Sequence, residues 1–60
     1  MFYLLDTTSG GFYTGRAGDG WVMAEQGEAF GYESEAEAQR KVDMFNKNRR
    51  LHGKVFEVVS

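Results

Sequence analysis

The sequence holds no cysteine and no proline in 60 residues, and a single histidine and a single tryptophan. Without cysteine there is no disulfide and no thiolate metal site, which fits a reducing compartment. No apolar run approaches the ~20 residues that a membrane-spanning helix needs. The start, Met1-Phe2-Tyr3-Leu4-Leu5-Asp6, has no basic segment ahead of its apolar stretch, so a signal peptide is not expected. A net charge of -2 gives no overall bias toward nucleic acid or an anionic membrane. What remains is room for one small domain spanning residues 1–60.

Apolar residues make up 42% of the chain and charged residues 27%, the balance of a folded protein rather than a disordered one. A chain of this size buries only about 60% of its unfolded surface and lies near the limit of autonomous stability. Nine aromatics supply much of the expected core: Phe2, Tyr3, Phe12, Tyr13, Trp21, Phe30, Tyr32, Phe45 and Phe56. A second copy of the chain is the other available stabiliser, so size leaves monomer and homodimer both open.

The spacing of turn and strand residues predicts β-β-β-α-β. Phe2–Leu5 and Phe12–Thr14 flank the polar cluster Asp6-Thr7-Thr8-Ser9-Gly10-Gly11 and read as a hairpin. Trp21–Ala24 follows an Asp-Gly turn as the third strand. Residues 28–32 read either as a short further strand or as an extended approach to the helix. Ser34 and Glu37 form a capping box, and Ala38, Val42 and Phe45 recur on one face, predicting a helix over about 34–48. Gly53 bars its continuation, and Lys54–Val59 is the closing strand. The expected fold is α+β, a three- or four-stranded antiparallel sheet with this helix packed on one face.

Chemistry-bearing patterns are sparse. His52 has no cysteine and no acidic cluster at ligand spacing, so no metal or cofactor is expected, and the residue reads as a cap or a solvated side chain. No serine or threonine carries a nucleophile signature, and the expectation is a protein that is not an enzyme. Gly15-Arg16-Ala17-Gly18 has the GXXG spacing of a KH loop, yet it joins two strands where that loop joins two helices. It reads as a turn.

Charge is divided more unevenly than the total suggests. Residues 1–39 carry one base against seven acids, and residues 40–60 carry six bases against two acids. Part of this complements the helix dipole, with Glu37–Lys41 and Asp43–Lys47 as i,i+4 pairs. At 100° per residue, Arg40, Met44, Lys47 and Leu51 line up opposite Ala38, Val42 and Phe45. With Arg49 and Arg50 these residues make the candidate partner-binding set, suited to an acidic, partly apolar protein surface. A nucleic-acid backbone contacted by Arg40, Lys47, Arg49, Arg50 and Lys54 is the alternative, disfavoured by the acidic first two-thirds of the chain. The sheet offers a second surface, since alternation sends large side chains to both faces. A curled sheet or a second copy is expected to bury both faces, in preference to an open face carrying Tyr and Trp.

Tyr13-Thr14-Gly15, Trp21, Ala29-Phe30, Ser34-Glu35-Ala36-Glu37-Ala38 and Phe56-Glu57-Val58-Val59 carry a resemblance. The chain resembles the small β-β-β-α-β proteins encoded by bacteriophages and other mobile elements. That group includes anti-CRISPR proteins, which inhibit by occupying a surface of their target. The resemblance implies a compact α+β fold, a bacterial cytoplasmic setting and a bacterial protein partner.

Overall fold

Ser34 accepts a hydrogen bond from the Glu37 N–H and caps helix α1 (Glu35–Lys47) in the computed structural model, which describes residues 1–60. Four strands, β1 (Tyr3–Asp6), β2 (Phe12–Tyr13), β3 (Val22–Met23) and β4 (Phe56–Val59), form one antiparallel sheet in the order β3-β2-β1-β4. α1 packs on β1 and β4. The fold is α+β with the expected element order, and the strands are shorter than the sequence pattern suggested.

Pairing register divides the sheet's two faces. Leu4 opposes Val58, Asp6 opposes Phe56, and Tyr13 opposes Val22. These face the helix, where Leu4, Ala38, Val42 and Phe56 are the fully buried apolar core. Phe45 is half-buried and sits at the centre of an aromatic cluster, with ring centroids 5.0 Å from both Tyr13 and Phe56 and 5.5 Å from Trp21. Trp21 therefore lies on the helix side, which rules out the disfavoured alternative of an open face carrying it. On the other face Tyr3, Leu5, Phe12, Met23 and Val59 stay partly exposed. α1 lies on the opposite side of the sheet, so within one chain the expected burial of both faces is not realised.

Residues 30–32 fill the gap where β1 and β2 splay apart. Phe2 exchanges both backbone hydrogen bonds with Tyr32, at 2.8 and 2.7 Å, and Phe30 N–H donates to Tyr13 O at 2.8 Å. This wedge settles the open choice for residues 28–32 against a further strand: Glu28 ends a 3-10 turn over Gln26–Glu28, and residues 29–32 follow as an extended segment with a single bridge. Gly15 permits it, because a Cβ there would lie 2.6 Å from the Phe30 ring and φ is +81°.

Two side chains close the sheet's far end. Thr7 N–H bonds Val55 O, which fixes the ladder's phase and turns the Phe56 backbone groups toward the outer edge. Asn46 satisfies both of them: its Oδ1 accepts from Phe56 N–H at 2.9 Å and its Nδ2 donates to Phe56 O at 3.1 Å. Asp6 is fully buried and accepts from Thr8 N–H, Ser9 Oγ–H and the Lys54 ammonium. Burial pushes its carboxyl up, but the hydrogen bonds from Ser9, Thr8 and Lys54 outweigh this and hold it below its ordinary 3.8.

Candidate functional site

α1 ends at Lys47 for a local reason. Asn48 leaves helical geometry, its Nδ2 donates to Met44 O at 3.1 Å, and its N–H donates to Phe45 O at 3.0 Å. Helix α2 (Arg49–His52) follows and stops at Gly53, whose φ of +71° is left-handed. Lys54 N–H donates to His52 Nδ1 at 3.0 Å, which leaves Nε2–H to donate to Phe45 O at 2.9 Å. His52 is thus a cap, and the helical stripe drawn from the sequence is interrupted. Leu51 does not continue α1, nor does it tuck under the sheet: it is 87% exposed on α2.

The structure brings two of the six candidate residues together. Arg40 and Met44 line a groove of about 390 Å³ with Tyr32, Glu37 and Lys41. Lys47, Arg49, Arg50 and Leu51 are exposed and lie outside it. Sequence reading missed Tyr32, Glu37 and Lys41 as parts of this site. Tyr32 comes from the wedge, and only its position just ahead of the Ser34 cap hinted that it would meet the first turns of the helix.

Apolar surface continues beyond the groove. Phe30, 46% exposed, meets Tyr32 edge-to-face at 4.9 Å between centroids, and Met44 is 44% exposed. Burial first, then the nearby Tyr13 and Glu37, raise the Tyr32 phenol above its ordinary 10.0. It therefore stays neutral near pH 7 and can donate its O–H to a ligand, since it makes no hydrogen bond within the chain.

The expected i,i+4 pairs Glu37–Lys41 and Asp43–Lys47 do not form; the only ion pairs are Arg16–Glu28 and Lys54–Asp6. Lys41 instead lies over the rings of Phe45 at 5.1 Å and Tyr13 at 5.8 Å, and Asp43 accepts from Gln39 Nε2 at 2.9 Å. Arg40, Lys47, Arg49 and Arg50 consequently have no carboxylate within salt-bridge distance. The Gly15–Gly18 loop joins β2 to β3 through a 3-10 turn at Gly18–Gly20, held by Thr14 Oγ1–H to Gly20 O. It is a structural turn, as its context implied. No helix is long and apolar enough to cross a membrane. No protein family, curated protein or solved structure matches this chain.

Proposed function

We propose that the chain is a non-enzymatic binding module that docks on another protein through the groove and its surroundings. The observation that carries this is the patch of exposed Phe30 and Met44 with half-buried Tyr32, beside Arg40 and Lys41. Aromatic, methionine and arginine side chains around a shallow apolar centre are the composition of interface hot spots. Unpaired cations along α1 and α2 select a partner that is acidic as well as partly apolar. The resemblance to small phage-encoded proteins extends this to an inhibitor of a bacterial host or defence protein acting in the cytoplasm, anti-CRISPR-like in mode. Occupying a surface requires a rigid patch and no chemistry.

Pull-down from bacterial lysate with the wild-type chain and with Met44→Ala tests it. The expected result is a specific acidic protein captured by the wild type, with affinity at least about tenfold weaker for Met44→Ala. Equal capture by both removes the groove from the interface.

Arg40, Lys47, Arg49 and Arg50, free of carboxylates, also favour a second reading as a nucleic-acid-binding protein. With Lys54 as a fifth contact, the slope of log K against log salt would be about -4.5 on duplex DNA. Replacing Arg49 and Arg50 with Gln would flatten it by about two units. Lys54 is already engaged with buried Asp6, which weakens its claim to a phosphate. The expected mobility-shift result at low salt is no retardation of DNA or RNA.

A further inference from the structure

We infer that the open face of the sheet is an interface between two copies of this chain. Strand alternation gathers Tyr3, Leu5, Phe12, Met23 and Val59 there, with Leu5 opposite Phe12, Phe12 opposite Met23, and Tyr3 opposite Val59. Met1, 65% exposed, joins them: its Sδ and the Tyr3 ring both lie over Gly31, 3.0 and 3.5 Å from where a Cβ would stand. Large apolar residues occupy the central strands β1 and β2. The one charged strand residue on this face, Glu57, is on the edge strand β4, where it would remain solvated at a rim. An apolar centre within a polar rim is the anatomy of a stable interface.

Charge places an interface between copies on this face and not on the groove side. The apolar centre has no sign to complement and is compatible with itself across a two-fold axis. The groove side, with Arg40, Lys41, Lys47, Arg49 and Arg50, would repel its own copy. Stability points the same way. Four fully buried apolar residues, with no disulfide, are little for a chain of this size, and sheet-on-sheet packing supplies a second core. The molecule measures 27 × 22 × 18 Å. The two longer dimensions set a ceiling of about 600 Å² on a face of the chain, so a pair buries at most about 1,200 Å², the lower end of specific interfaces.

Sedimentation velocity and thermal melting of the wild-type chain test this directly. The expected results are twice the chain mass, and a melting temperature that rises by about 5 °C or more over about a hundredfold increase in concentration. A single-chain mass with a concentration-independent melt overturns the dimer. Leu5→Lys should give a folded monomer, because a lysine stem still covers the sheet while its ammonium reaches water. Arg40→Gln with Met44→Ala should leave the mass doubled. A Leu5→Lys dimer as tight as the wild type overturns this face as the interface. Isotope-filtered NOEs on mixed-label wild-type protein decide the matter without any variant. Contacts between copies from the methyls of Leu5, Met23 and Val59 are expected, and their absence from a doubled-mass species overturns it.

Discussion

The two faces of the sheet carry similar residue types with different fates. Phe45, from α1, meets the helix-side face and lies among Tyr13, Trp21, His52 and Phe56. Phe12, from the middle of the sheet, is half-buried against flat neighbours on the side that no helix covers. The acids repeat the contrast. Asp6 is sealed under the helix layer with three donors, while Glu57, from the neighbouring strand, points into water. Composition does not separate these pairs. What separates them is whether a second layer of side chains arrives from elsewhere in the chain.

Phe45→Ala should break the covered face first, at a cost of about 3 kcal/mol, because the rings of Tyr13, Trp21, His52 and Phe56 and the Lys41 ammonium lose contact with it. Phe12→Ala, measured on a monomer such as Leu5→Lys, should cost about 1 kcal/mol, since much of that ring is already wet. Chemical denaturation of both variants compares them. Equal losses would mean that the open face is as closely packed as the covered one.

Asp6→Asn should cost about 2 kcal/mol, since the amide's Nδ2 would meet either the Thr8 N–H at the Oδ1 position or the Lys54 ammonium at the Oδ2 position as donor against donor. Glu57→Gln should stay within about 0.5 kcal/mol. Acid sharpens this comparison. A carboxyl held below 3.8 in the folded state contributes stability that is present above the unfolded value near pH 4. That stability is lost as pH falls through the lower folded value. Wild type and Glu57→Gln should therefore lose melting temperature below about pH 4, while Asp6→Asn lacks this component of the loss. At the other end of the scale, stability should fall as pH rises above 10 toward the raised Tyr32 value, and Tyr32→Phe should remove that fall.

The smallest effect belongs to the surface. Arg16 and Glu28 pair with side chains 57% and 44% exposed, so Arg16→Ala should change stability by less than about 0.5 kcal/mol at moderate salt. A larger loss would show that this pair fixes the wedge of residues 30–32, and would move it into the covered region's account.

What the sequence determined by itself is what neighbours within one or two turns decide. The Ser34–Glu37 cap, the Ala38–Val42–Phe45 stripe and the stop at Gly53 are set by contacts three to seven residues apart or by one residue's own backbone freedom. They place α1 within a residue of its expected ends. Element order followed from the same local signals, and so did the reading of Gly15–Gly18 as a turn. The candidate set Arg40, Met44, Lys47, Arg49, Arg50 and Leu51 was legible only as a helical projection, which Asn48 interrupts. Tertiary structure decided the rest. Trp21 goes to the helix side because it closes on His52 and Phe56, more than thirty residues away in sequence. Asp6 is buried because Lys54 reaches it across a separation of 48 residues. Lys41 leaves Glu37 for the rings of Phe45 and Tyr13 because β2 brings an aromatic beneath it. The groove exists because residues 30–32 wedge between β1 and β2 and present Tyr32 to the helix. Periodicity and capping are short-range and survive in any fold; the partner of each exposed or buried group is a long-range choice, made only when the strands close.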